Sequence, residues 1–270
     1  MLMAADPVVS VEIQKVPMRL RVDLDREDSI ELNPASAAKL PVHWQNGASL
    51  EVGRVTLPSH VAGALLTIRG RALPVEVAQH GRDCCAGVDG VIGPDQLPFV
   101  TVRWRNATAP RSTGRQVLPL DSSEAIGLSA ASGAGVRLRF AFEQPETIGT
   151  AAAGAALARL WGGRWNGTER RAPLVFGVTR PARMMAFAHP GTLAGFPLDR
   201  LLVRLSDFAG DEKLPADPLL AGEITVAHPL QRQHAWPAVT IGADRLSRCA
   251  EVVYAATPRS LTLDCAFDGP

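Results

Sequence analysis

Arg19-Leu20-Arg21-Val22-Asp23-Leu24-Asp25-Arg26-Glu27-Asp28-Ser29-Ile30 returns in altered form as Arg137-Leu138-Arg139-Phe140-Ala141-Phe142-Glu143-Gln144-Pro145-Glu146-Thr147-Ile148. The offset is a constant 118 residues, and Arg-Leu-Arg, two acids, a hydroxyl residue and Ile recur in register. Each copy then enters an Ala-rich stretch of good helix formers, Ala35 to Leu40 and Ala151 to Leu160. A second pair lies downstream, Val91-Ile92-Gly93-Pro94-Asp95-Gln96-Leu97 and Thr240-Ile241-Gly242-Ala243-Asp244-Arg245-Leu246, with Gly93 and Gly242 149 residues apart. Two motifs in the same order argue for duplication, with Gly93 equivalent to Gly242 and Ile30 to Ile148. The growth of the offset from 118 to 149 gives the second copy about 31 extra residues, which the polar, Pro-rich stretch from Asp211 to Pro237 would accommodate.

Around these motifs the segments are short, β-branched and punctuated by Gly or Pro, which together number 45. Nowhere do strands alternate with long amphipathic helices, as a parallel α/β sheet requires. The expected fold is all-β, two tandem lobes related by a pseudo-twofold, with short helices. The Ser, Gly and Ala-rich run from Asp121 to Gly135 reads as the linker, dividing residues 1–125 from 126–270. After each Ile-Gly motif comes an alternating strand, Phe99 to Trp104 and Ala250 to Tyr254, then a turn and a return strand.

The 28 Lys and Arg nearly balance the 27 Asp and Glu, so no nucleic-acid surface or anionic-membrane patch is expected. No run of eighteen apolar residues supplies a transmembrane helix. Lys occurs only at positions 15, 39 and 213, an Arg bias that fits a GC-rich bacterial genome. Met1 to Pro7 lacks a charged segment followed by an apolar core and reads as an initiator Met set directly before a mature N-terminus. A periplasmic or secreted location is therefore expected, with a cytoplasmic chain that begins here as the alternative. Cys249 and Cys265 are equidistant from the turn at Thr257 and are expected to meet as a cross-strand disulfide, which suits an oxidising compartment. Adjacent Cys84 and Cys85 admit either a vicinal bridge or two free thiols.

Asp89-Gly90-Val91-Ile92-Gly93-Pro94-Asp95-Gln96-Leu97 and Ile241-Gly242-Ala243-Asp244-Arg245-Leu246 resemble the Ile-Gly-x-Asp-x-Leu segment of aspartic peptidases of the retropepsin and pepsin type. The resemblance implies that each Gly lets the backbone pass close to an active-site loop. It also implies flap hairpins, the first from Leu50 to Leu57 and Leu65 to Val77 with Pro58 to Ala62 near its tip. The second would run from Leu174 to Ala182 and Leu193 to Leu205, with His189-Pro190-Gly191 near its tip. The family's chemistry needs one Asp from each lobe sharing a proton, with Gly two residues later. Here Glu27 and Pro145 stand where Gly is required, and Pro145 also removes an amide donor.

Asp25 and Glu143 align at offset 118 and are the candidate catalytic pair, against the plainer reading that Asp25 pairs with Arg26 or Arg19 or is solvated. Asp23 has only Ala141 opposite it. His60 and His189, with Arg180 and Arg183, are candidate ligand-binding residues on the flaps, suited to hydrogen bonding or to an anionic group. His80 is a weak partner for a Cys84 or Cys85 nucleophile. His228 and His234 lack companions for a metal site, and no metal or cofactor is expected. Three functions are compatible with this pattern. One is a degenerate peptidase-like protein binding a peptide, protein or other extended ligand in the interlobe cleft. The second is a divergent hydrolase using Asp25 and Glu143, and the third is a structural or assembly protein without cleft function.

Overall fold

The computed structural model describes residues 2–3, 7–26, 28–52, 55–122, 128–207, 214–215 and 235–268. The first half contributes β1 (Leu2–Met3), β2 (Val8–Ile13), β3 (Val16–Val22), β4 (Ser29–Leu32), α1 (Pro34–Ala37), β5 (Gln45–Asn46), β6 (Leu50–Val52) and β7 (Val55–Leu57). It continues with β8 (His60–Ile68), β9 (Arg71–Gln79), β10 (Gly90–Ile92), β11 (Thr101–Arg105) and β12 (Gly114–Pro119). The second half contributes β13 (Ala130–Ala131), β14 (Arg137–Phe140), β15 (Ile148–Gly149), α2 (Ala151–Trp161), β16 (Gly163–Pro173) and β17 (Thr179–Leu193). It ends with β18 (Phe196–Arg204), β19 (Ala238–Ile241), α3 (Ala243–Leu246), β20 (Cys249–Ala256) and β21 (Arg259–Cys265).

The protein is all-β, with two lobes built on one plan. The first sheet has the order β2-β3-β10-β4-β9-β8-β5 and the second β13-β14-β19-β15-β18-β17-β16. Every successive pairing has the same sense in both: antiparallel, parallel, antiparallel, parallel, antiparallel, antiparallel. In the first lobe β2 also pairs with β8, Glu12 opposite Thr67, closing the sheet into a barrel. Closure removes the free edges that an open sheet would present.

The offsets reappear in the ladders. Leu20, Arg21 and Val22 face Gly90, Val91 and Ile92, as Leu138, Arg139 and Phe140 face Val239, Thr240 and Ile241. One expected equivalence slips. Glu31 stands opposite Val91 where Ile148 stands opposite Thr240, so Ile148 takes the place of Glu31 and not of Ile30. The helix caps agree, since the amides of Asn33 and Thr150 donate to the carbonyls of Asp89 and Ala238. The loop after β14 is therefore one residue shorter than the loop after β3, and matched residue types at Ile30 and Ile148 conceal the shift.

Alternation places one face of each strand in the core, as in β3 and β8, where Met18, Leu20 and Val22 and Ala62, Ala64, Leu66 and Ile68 are buried. The Ala run makes α2 because Thr150 caps it, accepting the Ala153 amide at 3.1 Å, and Gly162 ends it with φ of 69°. Equivalent α1 begins with Pro34 at its first turn and stops after a few residues.

A third sheet, ordered β1-β11-β20-β21-β12, joins the halves. The expected return strand β12 does not pair with β11. The hairpin β20–β21 of the second half inserts between them, so that Trp104 faces Val252 and Val117 faces Thr262. Trp104 is fully buried, donates its indole N–H to the Val22 carbonyl and packs against Phe142. Cys249 and Cys265 lie opposite one another in this hairpin and are bridged.

The expected linker boundary falls within residues 123–127, outside the described residues, as do Glu27, His228, His234 and most of the stretch from Asp211 to Pro237. Between β18 and β19 lie residues 205–237, against residues 80–89 between β9 and β10, so this connection holds most of the second copy's extra length. Among the described residues no helix is long and apolar enough to cross a membrane.

Candidate functional site between the lobes

Gly93 and Gly242 build the site from below. A Cβ on Gly93 would stand 2.4 Å from the Arg26 carbonyl oxygen, and one on Gly242 2.6 Å from that of Gln144. Arg26 and Gln144 are themselves 118 residues apart, so each glycine presses against the same point of its own lobe's loop. The motif Asp secures the loop next to it. Asp244 accepts the Thr147 amide and hydroxyl, both at 2.8 Å, and Asp95 accepts the Asp28 amide at 3.4 Å.

A cavity of about 310 Å³ opens where the two loops meet. Asp23, Asp25 and Arg26 line it from the first lobe and Arg139, Ala141, Glu143 and Gln144 from the second. Leu174 and Val175, Cys84, Arg204 and Trp236 contribute further wall. Across it run two reciprocal ion pairs. Arg139 Nη2 lies 2.6 Å from Asp25 Oδ1, and Arg21 Nε lies 3.1 Å from Glu143 Oε1. Arg21 matches Arg139 and Asp25 matches Glu143, so each lobe's Arg holds the other lobe's carboxylate. A twofold contact is isologous, which is what this reciprocity expresses. The Asp25 partner is thus Arg139, not Arg26 or Arg19, because β14 rather than the local chain presents a guanidinium to the loop.

Asp23 differs from both. It is buried, and its carboxyl is pushed up from 3.8 to about 7, first by loss of solvent and then by the Asp25 charge, with Glu143 adding to it. The Asp25 amide, donating to Asp23 Oδ1 at 3.2 Å, and the Arg26 charge offset part of this.

The connection between β16 and β17 reaches over the cleft. Phe176 takes a positive φ of 54°, costly for an aromatic residue, and is buried. Its ring lies 4.8 Å from that of His80 and under the Arg26 guanidinium at 5.6 Å. His80 in turn meets buried Glu31, Nδ1 to Oε1 at 3.0 Å. The His80 imidazole is therefore engaged by Glu31 and Phe176, not by either cysteine.

None of the four expected flap residues lines this cavity. His60 begins β8 and its Nδ1 meets Gln79 Nε2 at 3.1 Å, because the β8–β9 reversal falls at Arg69-Gly70. The β17–β18 reversal falls at Ala194-Gly195, where positive φ permits the tight turn, so His189 sits within β17 at a bulge and is exposed. Arg180 pairs with Asp207 at 3.1 Å. Arg183 is buried, donates to the Gly167 carbonyl and lies over Trp165. The expected tip at Pro58 to Ala62 is corrected likewise: β6 and β7 form their own small hairpin, whose turn at 53–54 is outside the described residues.

Double-mutant cycles should separate the two ion pairs. Arg139 with Asp25 is the better sequestered, and alanine substitutions are expected to return a coupling of about 1 to 2 kcal/mol in urea denaturation at low salt. Glu143 is 47% exposed, so its cycle with Arg21 is expected below about 1 kcal/mol and lost in 1 M salt. A zero coupling for Arg139 and Asp25 would contradict the cross-lobe grip.

No family model matches the chain, and no curated protein matches it. Among solved structures it is similar to the EIAV protease complexed with the inhibitor HBY-793, at 15% identity over 33% of this chain and 83% of that one, with a TM-score of 0.28. The likeness to a retroviral protease is distant and spans a third of the chain, beside an all-β, two-lobed architecture that the strand pairing itself displays.

Proposed function

We propose that this chain is a catalytically degenerate aspartic-peptidase-like protein that binds an extended peptide or protein segment in its interlobe cleft. The observation that carries the reading is the reciprocal grip: the two carboxylates that the repeat aligns face guanidinium groups instead of one another. A peptidase dyad depends on two carboxylates about 3 Å apart sharing one proton. Replacement of Gly by Glu27 and Pro145 in the two loops supports the same reading. An extended ligand would enter the cavity beside Leu174 and Val175 of the β16–β17 connection. The Cys249–Cys265 bridge supports an exported location.

A second reading, a divergent hydrolase, draws on Asp23. A carboxyl pushed up to about 7 inside a cleft suits general acid or base work near neutrality. It has Ala141 where a symmetric partner would stand, which favours binding without turnover.

Panning a displayed random-peptide library tests the binding claim, with Thr240→Arg as the counter-selected variant because Thr240 lines the cavity floor. Enriched peptides are expected to bind the parent protein at least about tenfold more tightly than the variant, or roughly 1.4 kcal/mol. No enrichment, or equal binding to a folded Thr240→Arg protein, would favour the assembly role.

A further inference from the structure

Cys84 and Cys85 lie in the connection between β9 and β10, where the chain turns back from the barrel towards the cleft. Adjacent side chains on an extended strand point to opposite faces. Here the bent chain brings the two sulfurs within 2.8 Å. Asn33 holds that bend from below. Its side-chain oxygen accepts the Cys84 amide at 2.9 Å and lies 3.3 Å from the Cys84 sulfur, while its Nδ2 donates to the carbonyls of Cys85 and Val88, both at 2.9 Å. Arg21 Nη2 donates to the neighbouring Ala86 carbonyl at 3.2 Å, so the guanidinium that grips Glu143 also braces the cysteine loop. Cys84 lines the cavity and Cys85 is buried behind it.

The electrostatics divide the pair. The Cys85 thiol is pulled down, first by the hydrogen bond from Cys84 and then by the Arg21 and Arg26 charges, with burial and Glu143 opposing. The Cys84 thiol is pushed up, chiefly by the same hydrogen bond and by burial. Two adjacent thiols whose acidities are driven apart, on a loop that Arg21 braces and with Cys84 in the cavity wall, form the kind of electropositive, partly open setting in which cysteines react.

We propose that Cys84 and Cys85 are a two-electron thiol–disulfide site in the wall of the cleft, with a small-molecule disulfide as co-reactant. The thiolate of the pair attacks one sulfur of that disulfide, breaking its S–S bond and expelling one thiolate, which takes up a proton. The neighbouring thiol loses its proton, attacks the mixed disulfide and expels the second small thiol. Two protein thiols are oxidised to one vicinal bridge, and one disulfide is reduced to two thiols. The bridge fixes the loop that also carries His80, whose ring packs on Phe176.

The test equilibrates the folded protein in glutathione buffers from reducing to oxidising, quenches with acid, alkylates and digests with trypsin. Cleavage after Arg82 and Arg103 isolates both cysteines in one peptide, apart from Cys249 and Cys265. That peptide is expected to carry two alkyl groups at the reducing end. At the oxidising end it should carry none and be lighter by two hydrogens, with a single midpoint between. Cys84→Ser and Cys85→Ser should each halt at a mixed disulfide carrying one glutathione. Two alkyl groups at every poise that keeps Cys249–Cys265 bridged would overturn the proposal. So would wild-type protein that accumulates glutathione adducts in place of the bridge.

Discussion

Asp23→Asn is expected to stabilise the protein by about 4 kcal/mol at pH 8 while changing it little at pH 4. The folded carboxyl is pushed up to about 7 from an ordinary 3.8, so the folded state holds a proton that the unfolded chain has released across that interval. Its contribution to stability is fully present below about pH 4 and is lost as pH rises through 7. A gap of some three pKa units corresponds to the 4 kcal/mol quoted, to order of magnitude. Asn keeps the acceptor that the Asp25 amide uses and carries no charge for Asp25, Glu143 or burial to oppose. Urea denaturation of both proteins between pH 4 and 8 checks this, and the difference between them isolates Asp23 from the carboxylates stabilised in the opposite direction. Parallel stability curves would show that Asp23 is not held in the environment described.

Gly93→Ala and Gly242→Ala are each expected to cost on the order of 3 to 5 kcal/mol. Each would meet backbone of its own lobe's loop, Arg26 at Gly93 (where the Asp95 carboxylate is as close) and Gln144 and Glu146 at Gly242, and backbone yields less readily than a side-chain tip. Relief by moving the loop would disturb Asp25 or Glu143 and so the cross-lobe pairs. Gly63→Ala is the control, since a Cβ on Gly63 in β8 meets nothing within 4 Å. It is expected to lie within about 0.5 kcal/mol of the parent. Equal effects at Gly63 and Gly93 in thermal or urea unfolding would contradict the close approach.

These glycines also show how far the sequence could be read. Twin Ile-Gly-x-Asp-x-Leu segments located two loop contacts correctly, because the backbone approach needs a missing Cβ at a fixed place and leaves a fixed residue there. The motif Asp carried a second meaning, clamping the loop amide, that Asp95 and Asp244 disclose only in three dimensions. The reciprocal pairs were latent in the 118-residue offset, since Arg21 matches Arg139 and Asp25 matches Glu143. Reading them required knowing that the partner of each acid comes from the other lobe. His189-Pro190-Gly191 and Pro58-Ser59-His60 have turn-like compositions, yet neither forms the tip of a hairpin. The true reversals at Arg69-Gly70 and Ala194-Gly195 are marked by a single Gly each, since Arg69 and Ala194 also take positive φ but are residue types that rarely do. Phe176 carried no local signal, since an aromatic residue is a poor candidate for a left-handed turn.

The proposed function, ligand binding in the interlobe cleft without peptide hydrolysis, is tested most directly by incubating the wild type with a diverse peptide library between about pH 3 and 7. Cleavage is followed by mass spectrometry beside Asp23→Asn, Asp25→Asn and Glu143→Gln. No cleavage above a no-protein control is expected at any pH, and no response to statine-type transition-state mimics. Wild-type turnover that Asp25→Asn or Glu143→Gln abolishes while the variant stays folded would contradict it, and loss on Asp23→Asn alone would assign the chemistry to the buried carboxyl.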